Sequence, residues 1–354
     1  MHSNEILFFS VFLIFVLVML MVDLLFVSSK SHVVAFREAI VWTVIWVSFA
    51  MIFYILLRFH GTWLHGIENF QDLQHISLKY KHPIHTDGLS LDKALSLYKK
   101  NLGLEFLTGY LIEYSLSVDN VFVMILVFIA FGVKEQYYKR VLFWGILGAI
   151  VMRFIFIFVS AALIQRFSWI LYVFGAFLVV TGVRMFVQRN KKEKIEPHKH
   201  PVVKFASKYF SVYPRFMEHH FFIRNKRTGK LYITPLLLVL LVIEFMDVIF
   251  AVDSVPAIFS VTKDPYIVFF SNIFAIIGLR SLFFLVMHVI NYFHYLKTGL
   301  AVLLTFIGFK LLAPIFMEDG LTSLGFATQH SLYVVLGIIV VSIVLSLIFP
   351  KKES

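Results

Sequence analysis

The sequence predicts an all-α polytopic membrane protein with about nine transmembrane helices, six of which form two inverted three-helix repeats. Composition is the first observation behind this prediction. The 354 residues are 60% hydrophobic and 15% charged, with a mean hydropathy of +0.85, whereas a soluble domain is about 25% charged. The second observation is a pair of similar segments that carry carboxylates inside long apolar runs. Both observations favour a helix bundle in lipid over a soluble domain.

Nine apolar runs are long enough to cross a bilayer, which takes about 20 residues. The first run is too long for a signal peptide and has no cationic segment before it, so we expect a spanning helix. Pro256 follows the acidic segment of the sixth run, and its missing N–H predicts a break in that helix. Thr234 and Pro235 are expected to begin the sixth helix. The predicted spans are 5–27, 37–57, 104–131, 141–163, 168–188, 233–262, 267–290, 298–317 and 331–349.

Lysine and arginine predict the orientation. The most basic connector is 189–232, and the positive-inside rule places it in the cytoplasm, with the N-terminus outside and the C-terminus inside the cell (inner) membrane. The net charge of +11 does not indicate nucleic-acid binding, because no basic helix or RNA-binding motif accompanies it. The predicted divisions are two N-terminal transmembrane helices (1–57), an extracytoplasmic loop (58–103), a first three-helix repeat (104–188), a basic cytoplasmic loop (189–232), a second repeat (233–317), and a C-terminal transmembrane helix with its tail (318–354).

The repeat is defined by the segments EYSLSVDN, at 113–120, and EFMDVIFAVDS, at 244–254. An arginine follows each segment within the next span, at Arg153 and Arg280. An odd number of spans in each copy would insert the second copy upside down relative to the first, which is a known transporter architecture. When Asp119 is aligned with Asp253, Glu113 falls on Asp247 and Asn120 on Ser254.

The acidic residues lie where a carboxylate costs about 2.5–3.5 kcal/mol. Five carboxylates against two arginines give a formal charge of −3, which a divalent cation would reduce to −1. Protonation could do the same when the ion leaves, because burial and neighbouring carboxylates raise a carboxylate's pKa. Carboxylate, amide and hydroxyl oxygens suit Mg²⁺, Ca²⁺ or Mn²⁺. The candidate metal ligands are Glu113, Asp119, Asn120, Glu244, Asp247, Asp253 and Ser254.

Arg153 and Arg280 are assigned a charge-compensating role, for which two interpretations remain open. They neutralise surplus carboxylates as structural ion pairs, or they occupy the site when the ion is absent. Glu105 lies near a predicted span end and is expected at the membrane interface. The 58–103 loop could gather metal outside the membrane, but its histidines lack an i,i+4 pair on one helix and are expected to be ordinary loop residues: His60, His65, His75, His82 and His85.

Several classes of chemistry are excluded or not expected. The chain has no cysteine, so disulfides and thiolate metal ligands are excluded. It contains no Gly-Asp dipeptide, as intramembrane aspartyl proteases require, and no HExxH, GxSxG or P-loop motif. We therefore expect neither an enzyme nor a permanently bound cofactor. The expected partners are the divalent ion, the bilayer, and proteins or anionic headgroups that contact the 189–232 loop.

The segments EYSLSVDNVFV and EFMDVIFAVDSVPAIF resemble those of the TerC family of integral membrane proteins, which is named for tellurite resistance. The resemblance covers 104–317 well, and the length and additional first span are most similar to the family's Alx-type branch. It implies Mn²⁺ export, with the seven candidate ligands as the site. It also implies an alternative, a membrane-bound metal-handling or stress-complex partner that supplies metal to other proteins without being a carrier.

Overall fold

The chain forms a bundle of membrane-spanning helices. The computed structural model describes residues 3–22, 34–84, 88–167, 169–188, 197, 200–213, 220–224, 230–289, 295–316 and 328–349. Within these residues, nine helices are long and apolar enough to cross a bilayer. This confirms the predicted all-α polytopic architecture, so the chain is an integral multi-pass membrane protein. His85 and much of the 189–232 connector lie outside the described residues.

The spanning helices are α1 (Ser3–Val22), α2 (Phe36–His60), α5 (Leu91–Ala130), α6 (Tyr138–Arg166), α7 (Ile170–Gln188), α9 (Pro235–Phe259), α10 (Pro265–Val289), α11 (Leu296–Phe316) and α12 (Thr328–Ile348). Three shorter helices are α3 (Thr62–His65), α4 (Phe70–Tyr80) and α8 (Pro201–Tyr209). A two-stranded antiparallel sheet, β1 (Phe222–Arg224) and β2 (Leu231–Ile233), precedes α9.

The segment predicted as an extracytoplasmic loop, 58–103, is largely helical. It contains α3, α4 and the first turns of α5. Asn69 begins α4 with a capping box, in which its side chain accepts from the N–H of Asp72 and the Asp72 carboxylate accepts from the N–H of Asn69. Such a cap satisfies N–H groups that the first helical turn leaves without partners. The segment therefore forms a small folded layer at one end of the bundle.

The helix break predicted at the acidic segment of the sixth run is wrong, and the helix that carries the first acidic segment is also continuous. α5 is one helix of 40 residues and α9 one helix of 25 residues, with Pro256 inside α9. Pro256 is buried and lies one turn before the end of α9. Spanning helices tolerate proline where neighbouring helices and local adjustment satisfy the freed backbone groups. The start of α9 is as predicted, because Thr234 caps the helix and Pro235 occupies its first turn.

The central helix of the bundle is α10. The apolar window that identifies it as a span is completely buried within the protein, and it packs against α2, α5 and α6. The equivalent pairs α5 with α10 and α9 with α6 are both in contact, as a twofold relation between the repeats requires. The inverted orientation itself stays a prediction.

Close packing of α7 on α11 depends on two glycines. A Cβ added at Gly308 would lie 2.7 Å from the carbonyl oxygen of Gly175, and one added at Gly175 would lie 3.0 Å from the carbonyl oxygen of Gly308. Small residues let backbones approach in this way in membrane bundles, where helix association depends on packing contacts. The third helices of the two predicted repeats are thus in direct backbone contact.

Candidate metal site

Arg153 connects the two acidic segments. Its side chain is 1% exposed, and Nη1 donates to Glu113 Oε1 at 2.6 Å and to Ser254 Oγ at 2.7 Å. Nη2 lies 3.5 Å from Asp247 Oδ1. These residues come from α6, α5 and α9, so the structure brings three of the candidate ligands together around one arginine.

The positions of these side chains follow from helix periodicity. Asp247 and Ser254 are seven residues apart, which is close to two turns, so they share one face of α9. Glu113 Oε2 and Asp247 Oδ2 are buried and accept no hydrogen bond in the described part of the chain. If both carboxylates are ionised, this group carries a net charge of −1 with Arg153 included. It therefore has negative charge and oxygen lone pairs in excess of its donors.

A second group forms around Asp253. Its side chain is hydrogen-bonded to Thr181 of α7 and interacts electrostatically with Asp119 of α5. Both aspartates are half-buried, and Asn120 beside Asp119 is buried. Thr181 was not among the candidate ligands predicted from the sequence, although it lies within the predicted first repeat. This second group adds an oxygen from α7.

Glu244 lies apart from the Arg153 group. Its carboxylate packs against Gly148 of α6, where a side-chain carbon could not be accommodated without displacing it. Both residues line a groove between α6 and α9, together with the exposed side chains of Trp144, Val151 and Phe245. Glu244 still interacts electrostatically with Asp247, three residues along the same helix. The groove is apolar except for this one carboxylate.

Arg280 also lies in different surroundings from Arg153. It lines a cleft with Glu38, Lys139, Trp42 and other residues, and the residues of that cleft include none of the seven candidate ligands.

The seven candidate ligands do not form one assembled metal site. Among the residues that the structure describes, no three of His, Asp or Glu lie close enough to hold a single ion. The ligands instead form the Arg153 group, the Asp119–Asp253 pair and the separate Glu244. Each consists of hard oxygen donors, which can bind a divalent cation once they converge.

A buried polar network lies at the end of the bundle where α9 turns into α10. His65 Nδ1 lies 2.9 Å from Glu5 Oε1, and His65 Nε2 lies 2.9 Å from Asp264 Oδ2. Burial lowers the pKa of His65, but the carboxylates of Asp264 and Glu5 outweigh burial and raise it above its usual 6.5. The sequence carried no signal of this network, because Glu5 and Asp264 are 60 and 199 residues from His65.

Glu105 continues the network and is 0% exposed, so its carboxylate is buried within the protein, and its predicted position at the membrane interface stays a prediction. It accepts from Asn101 Nδ2 at 2.7 Å and Thr262 Oγ1 at 2.7 Å, and lies 3.0 Å from His82 Nδ1. Burial lowers the pKa of His82, and the Glu105 carboxylate more than offsets this and raises it. Two of the loop histidines are therefore buried partners of carboxylates.

Comparison with known proteins identifies the family. The description "Integral membrane protein TerC family" matches residues 98–354. An "Uncharacterized membrane protein STKORF319" of Myxococcus xanthus is 41% identical over 95% of this chain and 91% of its own length. A "Putative membrane-bound redox modulator Alx" is 40% identical in Salmonella typhi and 39% in Escherichia coli strain K12, each over 95% of this chain and 92% of its own length. No solved structure matches.

The family match covers both acidic segments, the Arg153 group and all helices from α5 to α12. The relatives are similar over 95% of the chain, so the likeness extends into the part that precedes residue 98. The chain belongs to the TerC family of integral membrane proteins.

Proposed function

We propose that the protein exports a divalent metal cation, with Mn²⁺ as the substrate, through the carboxylates of its two acidic segments. The residues favour a hard cation, because the candidate ligands are oxygen donors, and the resemblance to the family selects manganese. Export from the cytoplasm across the cell (inner) membrane corresponds to the predicted orientation, with the N-terminus outside and the C-terminus inside.

The observation that carries the proposal is the position of Arg153 between carboxylates of both segments. Its guanidinium contacts Glu113 and Ser254 directly and lies 3.5 Å from Asp247. A buried polar atom without a partner costs about 1–3 kcal/mol. Glu113 Oε2 and Asp247 Oδ2 are such atoms within the described residues. A cation that reached these oxygens would supply the missing partner.

In the proposed cycle Arg153 and the metal ion compete for the same carboxylates. Arg153 neutralises Glu113 and Asp247 when the ion is absent, and it moves aside when the ion binds. The Asp119–Asp253 pair supplies ligands nearer to Thr181 of α7, so transfer between the two groups would move the ion within the repeat interface. Proton binding to the carboxylates after release of the ion would restore charge balance and couple export to protons.

A role without transport is the alternative, in which the protein hands metal to other proteins through the 189–232 connector. The name of the Alx relatives refers to redox modulation. This chain has no cysteine, so it has no thiol couple of its own. In either interpretation, we infer that the protein acts on a metal ion, is not itself an enzyme, and holds no permanent cofactor.

The test is Mn²⁺ flux into everted vesicles, measured for wild type, Asp119→Asn and Asp253→Asn. Asp92→Asn is the matched control, because Asp92 is an exposed carboxylate on the same helix as Asp119. We expect transport by wild type and by the control, and a loss of at least tenfold in the two site variants. Wild-type vesicles that move no Mn²⁺, Ca²⁺ or Mg²⁺ under either pH gradient would refute export and favour the metal-handling role.

A further inference from the structure

His65 is held between two carboxylates that belong to distant parts of the chain. Glu5 lies in α1, and Asp264 lies in the turn between α9 and α10. Both ring nitrogens of His65 lie 2.9 Å from a carboxylate oxygen. A neutral imidazole has one N–H, whereas an imidazolium has two. The geometry therefore suits the imidazolium, which can donate to Glu5 and Asp264 at once.

The surroundings supply further hydrogen-bond donors and positive charge to the two carboxylates. Tyr80 and Tyr266 donate to Glu5 at 3.2 and 3.3 Å, and the ammonium of Lys79 lies 3.5 Å from it. Asp264 accepts from the N–H of Tyr266. Burial raises the pKa of Tyr80, so Tyr80 remains a neutral donor at alkaline pH. The titratable or charged groups that face His65 are Glu5, Lys79, Tyr80, His82, Asp264 and Tyr266.

We propose that His65 is a proton-binding site whose imidazolium locks α1 to the turn between α9 and α10, and that loss of this proton at alkaline pH weakens the lock. The side chains of His65, Glu5 and Asp264 are completely buried. A neutral ring would turn a lone pair toward one of the two carboxylates. The hydrogen bond on that side would be lost, and because the three side chains are shielded from solvent the loss is not compensated.

The hydrogen bonds of His65 connect the part of the chain that precedes the family match to the part that lies within it. Glu5 and His65 precede the residues that match the TerC family description, which begin at residue 98, whereas Asp264 lies among them. α9 carries Asp247, Asp253 and Ser254, and it ends five residues before Asp264. The proton on His65 therefore controls the attachment of the N-terminal helices to the turn that follows the second acidic segment.

The sign of the pH effect follows from the raised pKa of His65. Its contribution to stability is fully present below pH 6.5 and is lost as pH rises through the folded-state pKa. Lys263, next to Asp264, acts in the opposite direction, because burial lowers its pKa to about 7. Its destabilising contribution is full below pH 7 and fades as pH rises from there to 10.5, the usual pKa of lysine. The contribution of His65 is therefore isolated by comparing wild type with a His65 variant at each pH.

The first experiment measures thermal unfolding of the full-length protein in detergent between pH 6 and pH 10. We expect wild type to unfold several degrees above His65→Gln at pH 6, and this difference to shrink toward zero by pH 10. His60→Gln is the control, since His60 is an exposed histidine at the end of α2, next to α3. A difference between wild type and His65→Gln that is the same at every pH would overturn the proposal.

The second experiment uses the absence of cysteine in the chain. Val261→Cys, at a buried position in the turn after α9, reports opening of the lock, and Leu78→Cys, at an exposed position, corrects for the effect of pH on thiol reactivity. We expect the ratio of maleimide labelling rates to rise severalfold from pH 6 to pH 9 with His65 present. With His65→Gln the ratio should already be high at pH 6 and stay constant. A constant low ratio with His65 present, or an equal rise in both backgrounds, would contradict the lock.

Discussion

Removal of the Arg153 guanidinium should destabilise the protein strongly. Arg153→Met keeps most of the side-chain length but removes the hydrogen-bonded cationic partner of the completely buried Glu113 carboxyl. Breaking a buried ion pair by removal of one side costs about 3–5 kcal/mol. A change of 1 kcal/mol corresponds to about 2–4 °C in melting temperature for 150–250 residues. With the lower slope for this longer chain, we expect Tm to fall by roughly 6–10 °C.

The assay is thermal unfolding in detergent, followed by tryptophan fluorescence, with a double-mutant cycle. Glu113→Gln added to Arg153→Met removes the ionisable carboxyl that lost its partner, so we expect it to recover about 2 kcal/mol or more of the loss. Arg166→Met is the control, because Arg166 is exposed at the end of α6, and it should change stability by less than about 0.5 kcal/mol. Losses that simply add in the double variant would refute a coupled buried ion pair.

Three further predictions concern helix packing and capping. Gly148→Ala should displace only the Glu244 carboxylate, which is the far end of a flexible side chain, so thermal unfolding should show a change of less than about 1 kcal/mol. Gly308→Ala should cost about 1–3 kcal/mol, because its Cβ meets the Gly175 backbone, whereas Gly337→Ala, with open space around its Cβ, should be neutral or stabilising; equal melting temperatures of the Gly308 and Gly337 variants would contradict this. Thr234→Ala should cost about 1 kcal/mol through loss of the cap on α9, measured by urea unfolding.

The features that depend on local pattern were predictable from the sequence. Runs of apolar residues located nine spans, because the bilayer imposes a minimum helix length. Thr234 and Pro235 located the start of α9, because capping depends on adjacent residues. The duplicated segments located the carboxylates that later appear around Arg153, since a carboxylate at membrane depth needs a partner or a function.

The features that depend on tertiary neighbours were not predictable. Three-residue spacing placed Glu244 on the same face as Asp247, but the groove at Gly148 decides what Glu244 contacts. Pro256 predicted a break that is absent, because the packing around the end of α9 was unknown. The partners of His65 lie 60 and 199 residues away, so no local pattern identifies them. Tertiary packing determines each of these features. A short stretch of sequence does not show which distant residues will pack against it.

The length of α5 has a mechanical consequence. Its 40 residues correspond to about 60 Å, roughly twice the thickness of the hydrocarbon core. Glu105 of the buried network and Asp119 of the second acidic group lie on this one rod, separated by about 21 Å at 1.5 Å per residue. Because α5 has no hinge, a tilt of about 5° displaces its two ends by roughly 5 Å relative to each other. A small movement of one end of α5 is therefore transmitted along the helix to the carboxylates that it carries.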